Sequence, residues 1–375
     1  MIRVAHLTAD VDGRTNSGTA RVAQEIIREF SNYSTVIQTF VHFQHSGEKI
    51  YELPNTNEIV IPLGSNWLTK RRSISFIRWA IRYRFTKNLE NFDVVHWHSS
   101  RLFPLFFLFP SKKTIVTLHD VGQRILPGVN TFATRFYYWN ARLFQSKIHR
   151  IIAVSKTAMK DMEIIGKFKK SKLAYIYNGT NFELLKAEAI QNFILPSKYV
   201  LCVSRWQPHK NIDTLILAVH EMEHFLESTG TKIVLVGKPV GDYDLPGRLI
   251  ANFKLESHVI VLSDLSDENI AYLYDNALLN IFPSIHEGFG LSVLEGMARG
   301  CVSMVHKYTS TSEIAGESGI NLDMRDLSSF VSTFQDVVQN PDFLKIKKLK
   351  AEKLSRDYTW EKSVKKLMQI YEMKN

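Results

Sequence analysis

The residues best placed to do chemistry are two carboxylates, Glu287 and Glu295. They sit on either side of a glycine-bearing turn in the run Ser284-Ile285-His286-Glu287-Gly288-Phe289-Gly290-Leu291-Ser292-Val293-Leu294-Glu295-Gly296. Glycines at 288 and 290 let a backbone approach a ligand closely. A helix starting near Leu291 would turn its free N–H groups and the positive end of its dipole toward an anion. Carboxylates beside such a helix end serve poorly for phosphate alone. They serve well if the ligand also carries hydroxyls, because one carboxylate accepts from two O–H donors. A phosphate with sugar on either side, a sugar nucleotide, meets both demands. Taken singly, the two would read as ordinary surface carboxylates; the surrounding pattern argues for function.

The elements that hold this turn follow from its flanks. Leu278-Leu279-Asn280-Ile281-Phe282-Pro283 reads as a buried strand and Cys301-Val302-Ser303-Met304-Val305 as the next, so the unit is strand–loop–helix–strand. Arg205 and Lys210 flank another turn at the end of a predicted strand. They are either a solvated turn or a pair of phosphate ligands, the arginine bidentate and the lysine a point charge. His119 closes a third strand, beside Asp120 and just before Gly122. A neutral imidazole there could donate to a sugar hydroxyl or a leaving-group oxygen, or simply make a local hydrogen bond. His96 and His98 are alternate residues, and the expectation is that they point to opposite faces of a strand, or nearly so if the strand has ended. That is poor geometry for a shared metal, so packing or acceptor contact is expected and no metal site. The Gly13–Gly18 loop does not spell the dinucleotide fingerprint, although Gly18, near a helix start, could approach phosphate or acceptor.

At 375 residues the chain exceeds one ordinary core, and two domains are expected. An apolar fraction of 45% with 22% charged residues is that of a soluble globular protein. The two cysteines, Cys202 and Cys301, lie in separate predicted strands without metal-type spacing, which suggests buried, reduced thiols and a cytoplasmic setting. The N-terminus runs directly into a strand pattern, so no signal peptide is expected. No stretch reaches the ~20 apolar residues needed to span a bilayer; the closest, Leu102–Phe109, is short and broken by Pro104.

The net charge of +10 is unevenly placed. Residues 1–190 hold 27 Lys and Arg against 14 Asp and Glu, a net +13, while the remainder holds 20 against 23, a net −3. The first half therefore calls for an anionic partner. Trp67–Lys87 mixes Trp67, Leu68, Phe76, Trp79 and Phe85 with Lys70, Arg71, Arg72, Arg78, Arg82, Arg84 and Lys87. Together with Phe103–Phe109 and Phe132–Trp139 this fits contact with an anionic membrane surface, a core-facing amphipathic helix being the alternative; nucleic acid is not expected.

Strands at Met1–Ala9, Ser34–Phe43, Asn57–Pro62, Asp93–His98, Lys113–His119 and Arg150–Ser155 alternate with helical stretches, and Ser155 is placed to cap a helix. The alternation weakens around Asn178–Pro196 and resumes with strands at Lys198–Ser204, Lys232–Gly237 and His258–Leu262 and a helix at Asp267–Asn276. The fold class is α/β with parallel sheets covered on both faces. The expected domains are 1–188 plus a terminal helix 358–375, and 189–357.

With these residues in place, the chain resembles a family 4 retaining glycosyltransferase of the GT-B fold, two Rossmann-like domains facing across a cleft, over nearly its full length. Glu287-Gly288-Phe289-Gly290-Leu291 with Glu295 matches the family's Glu-x7-Glu signature. Val203-Ser204-Arg205 with Lys210-Asn211 resembles its phosphate-binding segment, and Thr117-Leu118-His119-Asp120 its His-Asp loop. Ile151–Lys156, Ile176-Tyr177-Asn178-Gly179, Ser312-Glu313-Ile314-Ala315-Gly316 and Tyr358-Thr359-Trp360-Glu361 match further family segments, the last a helix returning to the N-terminal domain. Ser204 and Asn211 stand where glycine is usual, Tyr177 and Ser312 where proline is common, and the first loop lacks a Gly-Gly pair.

The resemblance implies that Arg205 and Lys210 hold the donor diphosphate, Glu295 the ribose hydroxyls and Glu287 the transferred sugar, with Gly288, Phe289, Gly290 and Leu291 lining the donor. His119 would meet the sugar, and Gly18 would lie near phosphate or acceptor. The expected reaction is retaining, metal-independent transfer of a hexose from a nucleotide-diphosphate sugar, used as substrate and not as a cofactor, to a hydroxyl. The acceptor would be a glycan on a polyprenyl diphosphate or another membrane glycolipid, in bacterial surface-polysaccharide (O-antigen, capsule or exopolysaccharide) assembly at the cytoplasmic face of an inner membrane. A soluble-acceptor transferase and a non-catalytic sugar-nucleotide-binding protein are the alternatives.

Overall fold

The structure, a computed structural model, describes residues 1–8, 18–44, 53–62, 92–99, 112–122 and 132–373, with the single positions 74 and 81. The expected membrane segments Trp67–Lys87 and Phe103–Phe109, and most of the Gly13–Gly18 loop, lie outside the described residues.

The chain divides into two compact units, Met1–Gly179 with Trp360–Asn375, and Thr180–Thr359. The boundary anticipated at 188/189 falls inside the second unit. Residues after Thr180 are held there by apolar packing: the Phe182 ring lies edge-on to Tyr274 at 6.1 Å, and Leu185, Ala187 and Ile190 rest on the same core.

The first unit is a seven-stranded parallel sheet in the order β3-β2-β1-β4-β5-β6-β7, from Ile2–Leu7 (β1), Val36–Gln44 (β2), Thr56–Pro62 (β3), Val94–Trp97 (β4), Lys113–Leu118 (β5), Arg150–Ala153 (β6) and Leu173–Tyr175 (β7). The second is a six-stranded parallel sheet in the order β10-β9-β8-β11-β12-β13, from Tyr199–Val203 (β8), Lys232–Val236 (β9), Val259–Leu262 (β10), Leu279–Phe282 (β11), Ser303–His306 (β12) and Ile320–Leu322 (β13). Every residue of β4, β11 and β12 is buried, as strands covered on both faces must be. Each unit is thus Rossmann-like, and in each the strand order reverses once, between β1 and β4 and between β8 and β11. In open α/β sheets that reversal, at the carboxyl ends of the strands, is where ligands bind.

Ser155 caps its helix as anticipated, accepting from the Ala158 N–H at 2.9 Å. The terminal helix, Trp360–Glu372, belongs to the first unit. Its Tyr371 ring stacks on Phe30 at 5.5 Å, and its Ser363 hydroxyl donates to the Tyr177 carbonyl at 2.6 Å. The helices Leu327–Val338 and Pro341–Ser355 complete the second unit.

Candidate active site

In the second unit the loops after β8 and β11, neighbours at the reversal, come together. Pro208–Lys210 forms one 3-10 turn, and the Lys210 ammonium meets the Glu287 carboxylate at 2.5 Å, with both side chains largely buried. The ammonium also sits 5.3 Å from the centre of the Phe282 ring. Burial alone would raise the Glu287 carboxyl. The Lys210 charge and hydrogen bond, helped by Ser284, outweigh it and hold that carboxyl below its ordinary range. The two loops are stitched together by the Ser284 hydroxyl, which donates to His209 O at 3.0 Å, and by the Ile285 N–H, which donates to the same carbonyl at 2.9 Å.

The glycine turn is shaped from behind. Gly290 has φ +102°, and a Cβ there would lie 2.6 Å from the Thr311 Cγ2, so both backbone conformation and space call for glycine. The Ser310 hydroxyl donates to the Glu287 carbonyl at 2.8 Å. The helix Leu291–Ala298 begins at once, with Gly290 O accepting from Val293 and Leu294 at 3.1 and 3.2 Å. Glu295 lies one turn in and is buried.

The glycine replacements also have physical readings. Asn211 adopts the left-handed conformation, φ 57°, ψ 30°, which asparagine tolerates better than most residues. Its amide donates to Pro283 O and Met324 O at 3.3 and 3.2 Å, tying the ends of three strands together. Ser204 is not among the positive-φ residues, so a side chain is accommodated there. Arg205 is exposed beside this turn, and Trp206 N–H donates to Lys238 O at 3.0 Å.

In the first unit the carboxyl edge is lined by histidines. His119 Nε2 lies 3.2 Å from the His98 carbonyl, which can only accept, so Nε2 carries the proton and Nδ1 is the acceptor. Burial holds His119 below its usual pKa, partly opposed by Asp120 and by this hydrogen bond. Asp120 is fixed by the Gly122 N–H at 2.8 Å.

The expectation that His96 and His98 face opposite ways is corrected. Residues two apart on a strand share a face, and the His96 and His98 rings stack at 4.1 Å, His98 standing one residue past the end of β4 at Trp97. His6 joins them, its Nδ1 2.9 Å from His98 Nε2. His96 is engaged on both nitrogens, by the Tyr371 hydroxyl at 2.6 Å and Thr117 Oγ1 at 2.7 Å. The three rings are close enough to share an ion, with ligand atoms within 4.8 Å of one another. In this structure their ring nitrogens make contacts to Tyr371, Thr117 and one another. Gly18 begins the helix Gly18–Phe30, which follows β1.

Residues 16–184 match the family described as Glycosyltransferase Family 4, and residues 186–353 the one described as Glycosyl transferases group 1. The chain belongs to the family 4, group 1 glycosyltransferases. It is 27% identical over 319 residues to an uncharacterized glycosyltransferase of Methanocaldococcus jannaschii, covering 81% of this chain and 82% of that protein. It is 25% identical over 262 residues to the serotype-specific mannosyltransferase WbdA of Escherichia coli, but spans only 32% of that longer protein. The O-antigen chain mannosyltransferase RfbU of Salmonella typhimurium is 24% identical over 60% of this chain and 61% of its own. Among solved structures, the sucrose-phosphate synthase of Thermosynechococcus elongatus superposes with a TM-score of 0.81 at 15% identity over 99% of this chain and 98% of that one. WaaG, a glycosyltransferase of lipopolysaccharide biosynthesis, superposes at 0.73 and 14% identity over 99% and 100%. The fold of this glycosyltransferase is GT-B.

The structure brings Lys210 into direct contact with Glu287 and sets Glu295 in the helix that follows the same turn; Arg205 flanks the neighbouring loop. Sequence reasoning missed the residues behind them: Ser284, Ser310, Thr311, and Tyr371 under the histidines. Hydroxyls that brace a glycosyltransferase loop through backbone carbonyls carry no spacing signal of their own.

Proposed function

We propose that this glycosyltransferase moves a hexose, with retention at the anomeric carbon and without a metal, from a nucleotide-diphosphate sugar to a hydroxyl of a lipid-linked glycan in surface-polysaccharide assembly at the cytoplasmic face of a membrane. The observation that carries the reading is the Lys210–Glu287 pair at the strand-order reversal. A donor diphosphate arriving beside Lys210 competes for its ammonium, and Arg205 adds a bidentate partner. Glu287, released from the lysine, becomes an acceptor for sugar hydroxyls, and Glu295 does the same for the ribose. Developing negative charge on the leaving diphosphate is stabilised by Lys210, Arg205 and the helix start at Leu291, in a site built before the reaction begins. His119, neutral and with its proton on Nε2, is assigned to the sugar or the leaving-group oxygen, and the departing phosphate takes the acceptor proton. Gly18 is assigned to phosphate or acceptor.

The relatives support the acceptor class, one being named a serotype-specific mannosyltransferase and another an O-antigen chain mannosyltransferase. A structural neighbour, HepE of Anabaena, is described in complex with UDP-glucose, which supports a nucleotide-sugar donor. Contact of the first unit with an anionic membrane is supported by the helix Phe132–Leu143, which exposes Phe136, Trp139 and Leu143 beside Arg135 and Arg142. Among the described residues no helix is long and apolar enough to cross a membrane.

The test is a thermal-shift and turnover panel with GDP-mannose, UDP-glucose and other nucleotide sugars. A matching donor raises apparent stability and is turned over, and Glu287→Ala and Lys210→Ala abolish turnover. Full activity in those two variants would overturn the assignment. Donor binding without hydrolysis or transfer to any acceptor would identify a binding protein.

A further inference from the structure

A second surface, far in sequence from the basic first half, has its own apolar face. The helix Pro341–Ser355 is firmly seated in the second unit. Asn340 caps it by accepting from Phe343 N–H at 3.0 Å, Leu344 and Ala351 are buried beneath it, and the Lys347 ammonium reaches inward to Glu317 O and Gly319 O at 2.7 and 3.1 Å. The opposite face is not polar as a solvated helix face should be. Phe343, Ile346 and Leu349, three residues apart and on one side, are 36%, 59% and 63% exposed. Lys345, Lys350 and Lys353 are exposed among them. The helix holds five lysines against Asp342 and Glu352, within a half of the chain that is otherwise net negative. Glu317 lies 4.0 Å from Lys350, with both groups solvated, and Asp342 is exposed on the same helix.

An exposed apolar stripe marks a contact surface. Interleaved lysines select an occupant that is apolar at depth and anionic above, which is the boundary of a bilayer containing acidic lipid. Nucleic acid would use the lysines and leave Ile346 and Leu349 in water. We propose that the helix Pro341–Ser355 docks on an anionic membrane surface, with Phe343, Ile346 and Leu349 entering the headgroup–acyl boundary and Lys345, Lys350 and Lys353 pairing with lipid phosphates. This gives the membrane-borne acceptor proposed above a means of presentation. The docking itself requires neither donor nor acceptor, so its failure would leave the donor-binding result standing.

The two native cysteines make a local probe practical. Both are buried, and burial pushes each thiol up to about 12, so neither competes for a thiol label. Full-length Leu349→Cys carrying an environment-sensitive fluorophore is mixed with phosphatidylcholine vesicles that hold, or lack, about 30% phosphatidylglycerol, at about 0.15 M salt. The fluorophore should brighten and shift to the blue only with the anionic vesicles, while the same label at exposed Ser228→Cys stays unchanged. Ile346→Ser with Leu349→Ser, and separately Lys350→Glu with Lys353→Glu, should weaken vesicle flotation by at least about tenfold without lowering the melting temperature. Flotation with a silent label at 349 would mean that another surface docks and would overturn the proposal. So would equal binding to neutral vesicles, no flotation at all, or a label response to single-stranded DNA in place of vesicles.

Discussion

The two sheet edges share a topology and differ in how they keep polar groups below the surface. At the β1/β4 reversal, His6, His96 and His98 are fully buried and make their contacts to uncharged groups, Tyr371, Thr117 and one another. With no carboxylate among those partners, desolvation dominates, and His6 is held down at about 3. At the β8/β11 reversal, Glu287 is nearly as buried and yet stays ionised, because Lys210 supplies a charge at contact distance. One edge excludes charge; the other stores a matched pair that an anionic ligand can take apart. The same strand order therefore makes a neutral hydrogen-bonding wall in one unit and an electrostatic cradle in the other.

The sharpest way to break the contrast is to unpair the cradle. Lys210→Met leaves the Glu287 carboxylate desolvated, and breaking a buried pair in this way costs about 3–5 kcal/mol of stability. Lys210→Met with Glu287→Leu should recover most of that, because neither charge then remains. Turnover should fall by roughly 10²–10³-fold or more in both. Urea unfolding separates the outcomes: a double variant no more stable than the single one would show that the pair is not the stabilising unit.

Acid should attack the histidine wall first. Above about pH 6.5 these imidazoles are neutral in both folded and unfolded chains and contribute nothing to a pH dependence. As pH falls below that value the unfolded chain takes up protons that the folded one refuses, so stability declines until His6 itself protonates near 3. Each such site contributes at most about 1.4 kcal/mol per pH unit. Glu287 adds its loss only at lower pH, below the ordinary carboxylate range, as its depressed folded pKa is approached. Melting temperatures between pH 7 and 5 should therefore drop in the native chain and flatten in His6→Phe, which replaces a ring already packed between Phe30 and Phe40. The doubly substituted cradle should keep the native slope in that window. His96, His98, His119 and His149 in the same unit as His6, and His306 in the second, are also held down by burial, so His6→Phe lessens the slope only by its own share.

This difference also decided what the sequence could reveal. The cradle was legible because its parts lie on one strand–loop–helix run with glycines at the bend. Arg205 and Lys210 announced themselves as a pair of cations on one turn. The wall was not legible. Only the His96–His98 pair was encoded locally, since residues two apart on a strand share a face, and the opposite-face expectation misapplied that alternation. His6 and Tyr371 reach the same cluster from the two ends of the chain, a contact no local pattern encodes. Helix Pro341–Ser355 escaped for a related reason: its apolar residues lie on both sides, and only packing shows which side is left outside.

A smaller effect tests whether the cradle depends on its shape as well as its charges. Gly290→Ala places a Cβ against Thr311 at a φ that side chains rarely adopt, with an expected cost of about 1–3 kcal/mol. Adding Thr311→Ser removes the methyl group but not the backbone strain, so rescue should be partial. Full rescue would assign the whole cost to the clash.

The smallest effect concerns Asn211, where this chain departs from glycine. Asn211→Gly keeps the left-handed conformation and removes only the side chain, which bonds Pro283 O and Met324 O and accepts from Thr214 Oγ1 at 2.7 Å. The expected loss is about 1 kcal/mol, since a buried tie is cut while the backbone is relieved. Asn211→Ala cuts the same ties and adds the left-handed penalty of about 1–2 kcal/mol, so it should be the less stable of the two. If the tie also sets Lys210 against Glu287, the glycine variant should bind nucleotide sugar several-fold more weakly at unchanged maximal turnover. A glycine variant with native donor affinity would instead confine Asn211 to holding the strand ends together, and the geometry of the cradle would then rest on Ser284, Ser310 and Gly290.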